Sequence, residues 1–89
     1  MKLFIFKTHP KWNYCGGLFC IVAQTFEHAG ELGRGYRESE YDDASEHAQF
    51  LETPGDKDYD AVGYWVLCAT LDVSSETEER VIAARWNYA

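Results

Sequence analysis

The sequence predicts a small α+β fold: a four-stranded, mainly antiparallel sheet in the order strand-strand-helix-strand-strand, with one or two helices on one face. Three observations predict it. Two short apolar runs rich in β-branched and aromatic residues, 2–7 and 18–24, lie near the N-terminus around a break that contains proline and glycine. A capped stretch with helical periodicity follows them. The most apolar segment, 61–73, and an alternating one, 80–88, come last.

The first strand is Lys2-Leu-Phe-Ile-Phe-Lys7, stopped by Thr8-His-Pro10, since Pro10 has no amide donor and pushes His9 out of the helical region. Cys15-Gly16-Gly17 supplies a turn, and Leu18 to Gln24 forms the second strand, joined to the first as a hairpin with a long connection. Thr25 is placed as a helix N-cap, with Glu27 in the first turn where a carboxylate complements the helix dipole. Gly30, Gly33 and Gly35 weaken this helix by about 1 kcal/mol each relative to alanine, so it is expected to end by Leu32 in a flexible exit.

A second helix is expected from Asp43, because Asp43-Ala-Ser-Glu46 has capping-box spacing. Ala44, His47, Ala48 and Leu51 recur at intervals of three and four, and Thr53-Pro54-Gly55 ends the run. Ala61 to Val73 is the third strand. The last segment, 80–88, reads as a strand that closes a hairpin with it, placing Trp65 and Trp86 on adjacent strands. Ser75-x-x-Glu78 leaves a helix open there as the alternative.

Eighty-nine residues make a single domain, 1–89. A chain of this size buries only about 60–65% of its unfolded surface. Its aromatic content of 16% offsets the thin core, since each ring buries ~150–250 Å². Three cysteines, Cys15, Cys20 and Cys68, form an odd and widely spaced set, which fits a reducing cytoplasm better than a disulfide framework. Lys2 to Lys7 reads as a strand, so no secretory signal is expected, and the apolar run Leu18 to Ala23 is too short to span a bilayer.

Charge is the strongest sequence signal. The net value is −7, from fifteen acids against eight bases, which argues against direct binding to a phosphate backbone and favours a partner with a basic surface. Residues 1–24 hold three lysines and no acid. Residues 38–60 hold nine acids (Glu38, Glu40, Asp42, Asp43, Glu46, Glu52, Asp56, Asp58 and Asp60) and the single lysine Lys57. Tyr36, Tyr41 and Tyr59 are interleaved with them, so the belt has spaced carboxylates and planar groups, as a nucleic-acid strand does. Glu38, Glu40, Tyr41, Asp42, Asp43, Glu46, Asp56, Asp58 and Asp60 are therefore the expected partner-binding residues. The plainer reading is a solvated helix face flanked by acidic loops. Trp12 and Tyr14, beside Lys11 in a loop, have hot-spot composition and join the expected binding set.

Other chemistry fits less well. Asp56-x-Asp58-x-Asp60 begins like a calcium loop, but Ala61 and Leu67 stand where Gly and Glu belong. His9, His28, His47 and the cysteines complete no tetrahedral metal set, and Cys20 is expected to face the core. Cys15 beside Gly16-Gly17 lacks a recognised catalytic surround, and the glycines at 30, 33 and 35 form no phosphate loop. No cofactor, metal or catalytic residue is expected. The repeat of Glu27-His-Ala-Gly-Glu-Leu32 in Glu46-His-Ala-Gln-Phe-Leu51 is too short an echo for a repeat fold.

Met1-Lys-Leu-Phe-Ile-Phe6, then Gly16-Gly17-Leu-Phe-Cys-Ile-Val22-Ala23, then Glu27-His28-Ala29, and near the end Glu79-Arg-Val81-Ile82-Ala-Ala, together resemble small accessory proteins of tailed bacteriophages. Most such proteins have no known activity, but some small acidic phage proteins of similar size block host defence complexes, CRISPR effectors among them. The resemblance implies an anti-CRISPR-like binding inhibitor of a host nucleic-acid-handling complex, acting in the bacterial cytoplasm and not an enzyme. It carries no functional residue with it. A small-molecule or nucleotide sponge and a structural or accessory phage protein are the alternative functions.

Overall fold

The computed structural model describes residues 1–10, 17–36, 48–55 and 63–86, with Arg85 and Trp86 described by backbone only. Five strands and one helix form in these regions: β1 (Lys2–Thr8), β2 (Gly17–Ala23), α1 (Phe26–Gly35), β3 (Gln49–Leu51), β4 (Tyr64–Asp72) and β5 (Arg80–Trp86). The strands make one sheet in the order β3-β4-β1-β2-β5. The fold is α+β, as the sequence predicts, but the sheet departs from four antiparallel strands. It has a fifth strand and is mixed, because β3 runs parallel to β4 with Phe50 opposite Trp65.

β1 and β2 pair antiparallel in the expected register of a hairpin, Lys2 with Ala23 through Lys7 with Leu18. The second expected hairpin does not form. β4 pairs with β1 and β5 with β2, so the last two strands flank the first two. Residues 73–79 make this possible. Seven residues are more than a tight hairpin uses, and they exceed the ~14 Å across three strand spacings. The connection is tied down on the way, by Val73 N–H donating to the Met1 carbonyl at 3.1 Å and by Gln24 N–H donating to the Glu79 carboxylate at 2.8 Å. Trp65 and Trp86 consequently sit in different halves of the sheet.

Register irregularities in β4 and β5 reset the alternation of side chains. One lies opposite Ile5 and Phe6, the other opposite Cys20 and Ile21. A bulge places an extra residue on one strand and shifts the inward set by one. In β5 it turns both Val81, paired with Ile21, and Ala84, paired with Phe19, toward the core. Strict alternation over 80–88 puts those two on opposite faces.

The core is aromatic. Phe4, Phe6, Phe19, Ile21, Ala23, Phe50, Trp65 and Ala84 are buried on one sheet face, under Ala29 of α1. Phe19 is its hub: its ring meets Trp65 at 4.7 Å, Phe50 at 5.6 Å and Tyr36 at 5.9 Å, all edge to face, the arrangement ring quadrupoles favour. α1 starts where Thr25 predicts, with its hydroxyl accepting the His28 N–H at 3.1 Å. It runs past the expected stop at Leu32 to Gly35. Gly30 and Gly33 are buried and face Phe50, so they are points of close approach between helix and sheet and not a flexible exit.

The expected second helix over 43–51 is overturned at its end, where 49–51 is strand β3. Burial of Phe50 among Phe6, Phe19 and Trp65 overrides a weak local helical period. Residues 43–47 lie outside the described residues.

Candidate functional site

The sheet has two apolar faces, and among the described residues the helix packs on one of them. On the uncovered face β1 contributes Leu3 and Ile5. Leu3 is paired with Val22 and Leu71, and Ile5 with Cys20 and Ala69. Leu18 of β2, Val66 of β4 and Ala83 of β5 extend it, as the registers with Lys7 and Cys20 show. None of these side chains belongs to the core cluster or packs against it, although Val22 is fully buried, so the face is closed over at that end of β2. Leu18 is 36% exposed, Ile82 50% and Leu71 52%. An antiparallel sheet with a solvated face ordinarily alternates apolar and polar residues. Here the outward positions of the three central strands are apolar except Lys7 at the end of β1.

Cys20 and Cys68 share this face, one on either side of β1. Cys20 alternates with the buried Phe19 and Ile21, so it points away from the core it was expected to enter. Cys68 is the residue left unpaired between Leu67, opposite Phe6, and Ala69, opposite Ile5. Both are free thiols. Partial burial pushes the Cys20 thiol up, and the neighbouring Cys68 adds to that, so neither position favours a reactive thiolate at Cys20.

Among the described residues, carboxylates lie on α1, at the end of β4 and in the connecting segments. Glu27 and Glu31 are exposed on α1. Glu79, from the β4–β5 connection, stands beside the helix start, where it accepts from Gln24 N–H and meets His28 Nδ1 at 3.0 Å. Those contacts, the backbone hydrogen bond first and His28 second, hold the Glu79 carboxyl below the usual carboxylate range. His28, Glu31, Leu32, Gly35 and Glu79 line a shallow, open depression between helix and connection. Glu76 pairs with Arg80 at 2.9 Å, which raises the guanidinium further and ties the start of β5.

The residues the sequence singles out for binding are not brought together by any described geometry. Glu38, Glu40, Tyr41, Asp42, Asp43 and Glu46, then Asp56, Asp58 and Asp60, and also Trp12 and Tyr14, lie outside the described residues. Of the tyrosines interleaved with the acids, Tyr36 is a core-edge residue, packed on Phe19. His9, considered as a metal ligand, is buried and its Nε2 donates to the Pro54 carbonyl at 3.1 Å, while its N–H donates to the Tyr64 carbonyl. Among the described residues, no three His, Cys, Asp or Glu side chains converge as metal ligands, and no helix is long and apolar enough to cross a membrane.

The open apolar face was missed from sequence, although it left a signal. Leu18 to Ala23 and Tyr64 to Leu71 are continuous apolar runs, without the polar alternation of a half-solvated strand. Comparison with known protein families, with characterised proteins and with solved structures finds no match.

Proposed function

We propose that this chain acts by binding another protein, its acidic side engaging the basic surface of a nucleic-acid-handling complex and excluding that complex's own ligand. One observation supports this most: among the described residues, charge is sorted by face. The outward positions of the central strands carry no carboxylate, whereas Glu27, Glu31, Glu76, Glu78 and Glu79 lie on the helix and the connection, and the whole chain is at −7. An uneven distribution of this kind steers association with a basic partner and sets its salt dependence. The acids of 38–46 and 56–60 would add to the same field. A role against host defence, as the likeness to small phage proteins implies, is a specific form of this reading.

The test is capture of basic, nucleic-acid-binding proteins from a bacterial lysate at low and high salt, with mass spectrometry. A chain with Glu27→Lys and Glu31→Lys, and another with Glu38, Glu40, Asp42, Asp43 and Glu46 all changed to Lys, are run beside it. Specific capture at low salt, lost at high salt and in at least one reversed chain, is the expected result. Capture that ignores both salt and charge reversal removes the proposal.

A further inference from the structure

We propose that the open face of the sheet is a self-association surface, on which a second copy of this chain seats face to face as a two-sheet sandwich. This goes beyond the acidic-surface reading and uses different residues. The face is large enough. Four strands at ~4.8 Å span about 19 Å, seven residues at ~3.3 Å run about 23 Å, and the three residues of β3 add about 50 Å², roughly 490 Å² before side-chain relief is added. A standard interface takes ~800 Å² from each partner and weak ones somewhat less, so the face alone supplies most of one side.

The shape of the face selects the occupant. An α-helix is ~10–12 Å across and leaves about half the width uncovered. A twisted sheet of the same width covers it all, at the ~10 Å spacing of packed sheets. The second copy has such a sheet by definition. The described residues form one sheet and one helical layer, within extents of 39 × 32 × 17 Å, so a second layer on the open side completes a three-dimensional core. Electrostatics permits the pairing: two chains at −7 repel, but no carboxylate projects from the central strands into the contact. An anionic lipid surface would meet the same net repulsion, offset only in part by Lys7 of β1 and by Arg80 and Arg85 at the β5 register positions of this face.

The cysteines give the pairing a direct readout. Cys20 and the bulged Cys68 flank Ile5 in the middle row of the face. A two-fold axis along β1 lays Cys20 of one copy over Cys68 of the other. An axis across the strands lays like over like. Either arrangement brings thiols of the two copies to about the sheet-to-sheet distance.

The experiment is sedimentation equilibrium on the full chain over a wide concentration range, with Leu71→Glu/Ile82→Glu as the variant. Both side chains are half exposed, so circular dichroism is expected to stay native, while burying two unpaired charges weakens dimerisation by about a hundredfold or more. In parallel, a short bismaleimide is applied to the Cys15→Ser chain. A covalent dimer that disappears in Cys15→Ser/Cys20→Ser/Cys68→Ser supports the proposal, and it does so even if the glutamate variant misfolds. A wild-type chain that sediments as a monomer throughout and gives no cysteine-dependent dimer overturns it, as does a dimer indifferent to Leu71 and Ile82. Neither outcome touches Glu27 or Glu31, so the acidic reading stands or falls separately.

Discussion

Gly33 lies directly against the ring of Phe50: a β-carbon at Gly33 would overlap the ring tip and come within 2.8 Å and 3.0 Å of its flanking carbons. Phe50 cannot yield easily, since Phe6, Phe19 and Trp65 hold its other sides. Gly33→Ala therefore sets a helix gain of about 1 kcal/mol against overpacking of about 1–3 kcal/mol, and the second is expected to win. At Gly30 the same β-carbon meets nothing closer than 3.4 Å, from the end of the Arg34 side chain. Gly30→Ala should be neutral or stabilising by up to about 1 kcal/mol. Urea unfolding of both variants checks the pair; equal effects would show that Gly33 is not a packing glycine.

Phe19 is fully buried and contacts three other rings, so no neighbour can relax into its place without leaving a second gap. Phe19→Ala is expected to cost about 3–5 kcal/mol, a large part of the ~5–15 kcal/mol available to a domain. The variant should unfold far earlier in denaturant or fail to fold. A loss below about 1 kcal/mol would mean that the ring cluster is not the centre of the core.

Thr25 accepts the His28 N–H, one of the orphan donors of the first helical turn. Thr25→Ala should cost about 1 kcal/mol, and Thr25→Ser should restore most of it, because serine offers the same oxygen. Thermal melts of the two variants make the comparison. If serine falls with alanine, the contribution is packing of the methyl group and not the cap.

The sequence showed most clearly what is determined within a few residues. β1, β2 and the start of α1 follow from short apolar runs of β-branched and aromatic residues, the Pro10 break and the Thr25 cap, and the strand over 80–86 follows from its alternating pattern. What it obscured depends on contacts far along the chain. β3 is three residues long and is held by the side chain of Phe50, in a stretch whose own period is helical. The positions of β4 and β5 rest on a connection anchored at Met1 and Gln24, a choice no local pattern records. The bulges move Val81 and Ala84 onto one face after the alternation has placed them on two. The open apolar face follows from the absence of alternation in β2 and β4, which alone reads as deep burial. The acidic belt is plain in the sequence, yet its residues at 38–46 and 56–60 lie outside the described structure, so of its nine acids only Glu52 has a described place.

Glu79 joins three parts of the chain through one oxygen, Oε2, which accepts from Gln24 N–H at the end of β2 and meets His28 in α1. Its folded pKa lies below the ordinary value near 4.5. A carboxyl depressed in this way adds stability that is complete above that ordinary value and is lost as pH falls through the lower, folded value. Acidification should therefore remove this contribution only in the range below about 4.5, where Glu79 takes up its proton. Glu79→Gln keeps an acceptor for Gln24 N–H but has no charge to titrate, so its melting temperature should fall less steeply than the wild type's across that acid range. At neutral pH the variant should be the less stable of the two, having lost the charged partner of His28. Both melting curves measured at a series of pH values decide it. Parallel profiles would place the acid sensitivity on other carboxylates and leave Glu79 as a surface residue with no role in tying the connection to the helix.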